Sequence, residues 1–149
     1  MTEVLFYHLT ESTLEDTLPG LLERSRARGW RVAVQCGSAE RRDALDAHLW
    51  SFRDDSFLAH GLDREPFASD QPILLTTEDA NPNGAQVRFL VDNAPAPDLG
   101  PYERAVFLFD GHDQAQLDGA RQAWTAMKAL GHAVTYWQQT PDRRWERKA

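Results

Sequence analysis

Two near-continuous apolar runs, Val4-Leu-Phe-Tyr-His-Leu9 and Arg31-Val-Ala-Val-Gln-Cys36, each lead into a segment of helical periodicity. Strands with so little polar alternation are buried on both faces, as in parallel sheets. The strand–helix–strand–helix opening therefore predicts an α/β fold with a parallel pair joined by a right-handed crossover. Ser12 or Thr13 caps the first helix, which runs to about Arg28 with Leu14, Leu18, Leu21 and Leu22 inward, and Gly29 stops it. Pro19 breaks that pattern, so either the helix starts there or its first turns are distorted. Gly37-Ser38 supplies the turn and cap of a second helix to about Trp50, with Ala44, Leu45, Ala47 and Leu49 inward.

The middle is less regular. Residues 51–71 read as a long structured connection. Pro72-Ile-Leu-Leu-Thr-Thr77 and Gln86-Val-Arg-Phe-Leu-Val91 are strands around the turn signal Asn81-Pro-Asn-Gly84, and they form a hairpin or sit apart in the sheet. After a loop at Asn93–Pro101 come the strand Glu103-Arg-Ala-Val-Phe-Leu-Phe109, a helix from Asp113 to Leu130 and a last strand, His132-Ala-Val-Thr-Tyr-Trp-Gln138. Residues 140–149, with four basic and two acidic side chains, are expected to be a mobile tail.

A chain of 149 residues, 42% hydrophobic, has the size of one ordinary domain, so residues 1–149 are expected to be a single unit. The net charge of −7 argues against wrapping duplex nucleic acid, since phosphate binding rests on clustered Lys and Arg, but leaves room for a local basic patch. Cys36 is the only cysteine, which excludes an intramolecular disulfide and a thiolate zinc cluster. With no apolar signal region and no apolar run near the ~20 residues that span a bilayer, a cytosolic protein is expected, with no membrane partner.

The last helix carries the clearest functional signal. At about 100° per residue, Arg121, Trp124, Thr125 and Lys128 fall on one stripe, with Arg121 and Lys128 on either side of the Trp124 ring. The core-facing arc runs through Ala120, Ala123, Met127 and Leu130, with Leu117 and Trp124 at its margin. Two cations beside a partly open ring make a seat for a carboxylate on an apolar group; alternatively Trp124 packs inward and the cations are solvated.

Other residues raise other chemistries. Asp110-Gly-His112-Asp113 lies between strand and helix, where open α/β sheets place ligands, and Asp110 and His112 could serve as base and orienter of a small hydrolase, or join Asp113 and His132 around a metal. The competing reading makes Asp113 a helix cap and Gly111 a turn residue, with no catalytic residue and no metal. No glycine-rich dinucleotide or phosphate loop and no nucleophile elbow is present, so no cofactor is expected. Trp50, followed by Phe52 and Phe57, forms either a contact surface or a satellite core under the long loop.

Taken in order, Phe6-Tyr7, Asp46-x-x-Leu49-Trp50, Ser56-Phe57-x-x-His60, Pro72-Ile-Leu-Leu75, Phe109-Asp-Gly111, and Arg121-x-x-Trp124-x-x-x-Lys128-x-x-Gly131-His132-x-x-x-Tyr136-Trp137 resemble the chi subunit of bacterial DNA polymerase III holoenzyme across almost the whole chain. The resemblance implies a single-domain, Rossmann-like open sheet, mostly parallel and flanked by helices. It also implies a non-catalytic adaptor in DNA replication, attached to the clamp-loader assembly and binding the acidic C-terminal tail of single-stranded-DNA-binding protein, which ends in a Pro-Phe carboxylate. Family members use an Arg, an aromatic and a Lys on the last long helix for that tail. Arg121 and Trp124 match the first two, Thr125 stands where the Lys would be, and Lys128 matches another basic position. The family's second face binds the psi subunit or a helicase through aromatics that Trp50 and Phe57 match, while Arg53 and Ala59 replace nearby prolines. Direct sequence-specific binding of nucleic acid is not implied.

Overall fold

The computed structural model describes residues 2–51 and 59–149. Its strands are β1 (Glu3–Leu9), β2 (Val32–Cys36), β3 (Gly61–Leu62), β4 (Ile73–Thr76), β5 (Val87–Val91), β6 (Arg104–Asp110), β7 (Ala133–Gln139) and β8 (Trp145–Arg147), with helices α1 (Leu14–Ala27), α2 (Ala39–Ser51) and α3 (Gln114–Ala129). They form one sheet in the order β3-β4-β2-β5-β6-β1-β7-β8, parallel throughout except for β8 on β7. The expected α/β class and mostly parallel open sheet are therefore observed.

The order follows from crossover handedness. From β1 the chain passes through α1 to β2 on one side, whereas from β6 it passes through α3 to β7 on the other. Two right-handed crossovers running in opposite directions must lie on opposite faces of a sheet. Accordingly Leu18, Leu22, Leu45 and Leu49 of α1 and α2 pack with Val34, Phe89 and Leu108, while Ala120 and Met127 of α3 pack with Phe6, Phe107 and Phe109. The first core also holds Cys36, whose thiol is pushed up to about 12, chiefly by burial.

Local chemistry sets the helix ends. The Thr13 hydroxyl accepts from Asp16 N–H at 3.1 Å, so α1 starts before Pro19 and contains it. Gly29 (φ 80°) and Gly131 (φ 84°) end α1 and α3 in the same way: Trp30 N–H reaches the Ser25 carbonyl and His132 N–H the Met127 carbonyl, the six-to-one bond of a Schellman motif.

Of the two arrangements open for β4 and β5, a hairpin or places apart in the sheet, the second is observed: they flank β2, both parallel to it. Three expectations are corrected. Residues 140–149 contain β8, where Trp145 packs on Tyr7 with ring centroids 4.6 Å apart and Lys148 N–H donates to the Tyr136 carbonyl at 2.7 Å. On α2, Ala44 and Ala47 are exposed and Arg42 takes the inward position instead, pairing with Asp63 at 3.1 Å. Leu130 is 68% exposed because it is the cap of α3, past the last turn that faces the sheet.

Where no helix covers the α3-side face, loops do. The fully buried Arg88 of β5 makes five hydrogen bonds beneath them: two to Gln35 Oε1, one to the Tyr102 hydroxyl, and one each to the carbonyls of Glu78 and Ala80. Gln35 in turn donates to the Pro95 carbonyl at 2.8 Å.

Candidate functional site

Sheet register assembles the floor of the site. Phe6 of β1 stands between Phe107 of β6 and Tyr136 of β7, and His8 stands beside Phe109 one pleat further on. Residues two apart on a strand share a face, so these five rings form two rows under α3. Phe6 and Phe107 stack with centroids 4.5 Å apart, and His8 lies 4.9 Å from Phe109. The Tyr136 hydroxyl hydrogen-bonds His8 Nδ1 at 2.9 Å.

The Trp124 ring of α3 comes down on this floor edge-on. Its centroid lies 5.5 Å from Phe6 and 5.7 Å from Tyr136, at interplanar angles of 72° and 81°. Such edge-to-face pairs add about 0.5–1.5 kcal/mol each beyond area burial, enough to hold the ring without covering it. Trp124 is half-buried and lines an open cavity of about 460 Å³ together with His8, Phe109, Arg121, Thr125 and Tyr136. Inward packing and an open edge thus coexist in the same side chain.

The cations are arranged less symmetrically than spacing predicted. Lys128 Nζ lies over the Trp124 ring, 5.2 Å from its centroid, but does not line the cavity. Arg121 does line it; its side chain is 77% exposed and its only ion pair among the described residues is with Asp118 at 3.9 Å. An exposed pair at that distance is weak, so the guanidinium is available to a ligand. The Thr125 hydroxyl donates to the Arg121 carbonyl at 3.2 Å, which leaves it as an acceptor toward the cavity.

Two titrating groups register this environment. The Tyr136 phenol is raised above its ordinary value by burial, against which the Arg121 charge works. The His8 imidazole is lowered, first by burial and then by the nearby His112, with Asp110 opposing. Neither His8 nor Tyr136 stood out in the sequence as a site residue; only the register of β1 against β7 brings them under Trp124.

The Asp110 turn has a different character. Asp110 Oδ1 accepts His112 N–H at 2.8 Å, Asp113 caps α3 by accepting Gln116 N–H at 3.1 Å, and His112 Nε2 lies 2.8 Å from the Thr10 carbonyl. A Cβ at Gly111 would fall 2.3 Å from His8 Nε2, so the turn requires glycine there. His132 follows the far end of α3, about 24 Å away for 16 residues at 1.5 Å each, and the structure does not bring it to this turn. Among the described residues no group of three or more His, Cys, Asp or Glu is placed to hold a metal ion. Nor is any helix there long and apolar enough to cross a membrane.

At the sheet's far edge Trp50 is 54% exposed and lies 4.2 Å from the His60 ring. Phe57, expected beside it, lies outside the described residues.

Residues 1–135 match the protein family described as DNA polymerase III chi subunit, HolC. The chain belongs to that family. Two relatives agree: a probable DNA polymerase III subunit chi from Rickettsia prowazekii (strain Madrid E), 24% identical over 91 residues, and the DNA polymerase III subunit chi of Pseudomonas aeruginosa PAO1, 32% identical over 78 residues. These alignments cover 61% and 50% of this chain, and 55% and 54% of the respective relatives. The chain thus spans about half the length of the curated relatives it matches. Of the residues around the aromatic cavity, His8, Phe109, Arg121, Trp124 and Thr125 lie within the matched region and Tyr136 lies just past its end.

Proposed function

We propose that this chi-family chain is a non-catalytic, cytosolic adaptor that links the clamp-loader assembly of DNA polymerase III to the acidic C-terminal tail of single-stranded-DNA-binding protein. The reading rests on one observation above all: an open aromatic cavity edged by Trp124, with the exposed Arg121 guanidinium at its rim. A terminal phenyl ring enters against Trp124, Phe109 and Tyr136, and its carboxylate takes a charge-assisted hydrogen bond from Arg121. Lys128, one turn beyond Trp124 on α3, and the basic residues around β8 attract the acidic residues that precede the ring.

On the opposite edge of the sheet, Trp50 serves a second partner, the psi subunit or a helicase, and Phe57, outside the described residues, is assigned the same partner. Support for this part is the exposed indole at the end of α2. An enzyme centred on Asp110 and His112 is disfavoured, because the Asp110 carboxylate accepts the His112 N–H within the turn and the His112 ring is engaged by the Thr10 carbonyl after β1.

A pull-down with intact single-stranded-DNA-binding protein, set against a version lacking its C-terminal tail, tests the adaptor. Retention of the intact protein alone is expected. Equal retention of both would sink the reading.

A further inference from the structure

On the α1 face, a second cavity of about 360 Å³ opens between the C-terminal half of α1 and the sheet. Arg24 and Arg28, at i and i+4 on α1, line it with Arg104 of β6 over a floor that includes Tyr7, Phe89 and Val106. In a chain of net charge −7 this is a concentrated positive site. Two of its three arginines are held in place: the Arg28 and Arg104 guanidinium carbons lie 4.1 and 5.3 Å from the Trp30 ring centroid.

The charges do not balance within the protein. Arg104 Nη2 pairs with Glu3 at 3.3 Å, whereas neither Arg24 nor Arg28 has an ion-pair partner among the described residues. Two positive charges are left over. Arg104 Nε is buried and has no hydrogen-bond partner there either. A buried donor with no partner in the protein is one that a ligand oxygen can satisfy. Burial raises the Tyr7 phenol, and Arg104 and Arg24 work against that shift, so the hydroxyl lies within the field of both. The carbonyl end of α1, which would repel an anion, has its Ser25 and Arg26 oxygens covered by the N–H groups of Trp30 and Gly29.

We propose that this cavity binds a phosphate monoester carried on a planar ring, the chemistry of a nucleoside monophosphate, whether free or at the phosphorylated end of a DNA strand. A monoester carries about −1.5 to −2 charges at neutral pH and three strong acceptor oxygens. That matches two uncompensated guanidinium groups and the unmade Arg104 Nε donor, where a single carboxylate would leave charge over. The Tyr7 and Phe89 rings, with Leu21 and Val106, give the attached ring an apolar bed of suitable volume.

Titration calorimetry of the full chain with adenosine monophosphate, adenosine and inorganic phosphate tests this, alongside a thymidine octamer with and without a 5′ phosphate. Adenosine monophosphate should bind roughly tenfold or more tightly than adenosine. The exposed Arg24→Gln variant should weaken it by a similar factor with an unchanged melting temperature, Arg28→Gln should do the same with a small fall in melting temperature because its contact with the Trp30 ring goes too, and nucleotide should shift the Arg104 Nε resonance in NMR. If the phosphorylated octamer binds more tightly than the mononucleotide, a strand end is the source; if not, free nucleotide is. Equal affinity for nucleotide and nucleoside, no binding at millimolar nucleotide, or wild-type affinity in both variants would overturn the proposal.

Discussion

His48 Nε2 lies 2.7 Å from the carbonyl oxygen of Glu15, the one backbone acceptor in α1 that Pro19 cannot serve. Proline at the sixth position of the helix has no N–H for the carbonyl four residues back, and that oxygen would otherwise go unpaired. An imidazole from α2 supplies the bond, ties the two helices together and lets α1 run through the proline.

His48→Ala should therefore destabilise the fold by about 1–3 kcal/mol, the usual cost of stranding a partly buried acceptor. Adding Pro19→Ala to that variant should recover part of the loss, since the new N–H bonds to Glu15 within the helix. Urea unfolding of the four proteins in the cycle measures the coupling; strictly additive effects would show that the two residues do not share this carbonyl.

Arg88 invites a larger effect. Its five donors bind Gln35, Tyr102 and the 78–80 loop under a face that has no helix to cover it. Replacing it with Met strands several buried acceptors together, and a loss of about 3–5 kcal/mol is expected. Arg88→Lys should recover little, because an ammonium cannot span the acceptors that a planar guanidinium reaches. Amide exchange should quicken at residues 78–80 and around Pro95 in both variants; unchanged exchange there would separate Arg88 from the loops.

What the sequence disclosed and what it hid have physical causes. Continuous apolar runs and helical periods made β1, β2, α1, α2 and α3 legible, since burial on a regular lattice leaves a periodic trace. Strand β8 left none: three residues with Glu146 and Arg147 among them look like a solvated tail, and only the antiparallel register of Trp145 against Gln139 of β7 reveals the pairing. Arg42 was hidden because its burial depends on Asp63, a partner 21 residues away. In the candidate site, Arg121, Trp124, Thr125 and Lys128 were visible as a helical stripe. His8, Phe109 and Tyr136 were not, because strand register, which no local pattern encodes, places them in one cavity.

His8 gives the site a pH dependence. Its imidazole is lowered by burial and by His112, so the unfolded chain takes up this proton near pH 6.5 and the native chain only at lower pH. Between those values the unfolded state holds more protons; the His8 contribution to stability is complete above pH 6.5 and is lost as pH falls through that window. A carboxylate bound beside Tyr136 favours protonated His8, so peptide affinity should rise as pH falls from 7.5 toward 6. His8→Gln should flatten that rise, as followed by calorimetry and by the imidazole resonances; an equally steep profile in the variant would place the proton elsewhere.

Arg121 and Thr125 decide how tightly an acidic peptide ending in Phe is held. Loss of a charged group paired across an interface commonly costs ~2–5 kcal/mol, so Arg121→Ala should weaken the peptide by more than roughly tenfold. Thr125 lies on the same cavity, yet its hydroxyl proton is engaged by the Arg121 carbonyl and it presents only lone pairs to an incoming carboxylate. Thr125→Lys removes that mismatch and adds a cation one turn from Arg121, at an exposed helix position that tolerates it. Affinity should then rise by about three- to tenfold at low salt and by less as salt screens the added charge. Calorimetry at two salt concentrations reads both effects: a Thr125→Lys variant that binds the peptide no better, beside an Arg121→Ala variant that binds it no worse, would mean that the carboxylate does not lie on this stretch of α3.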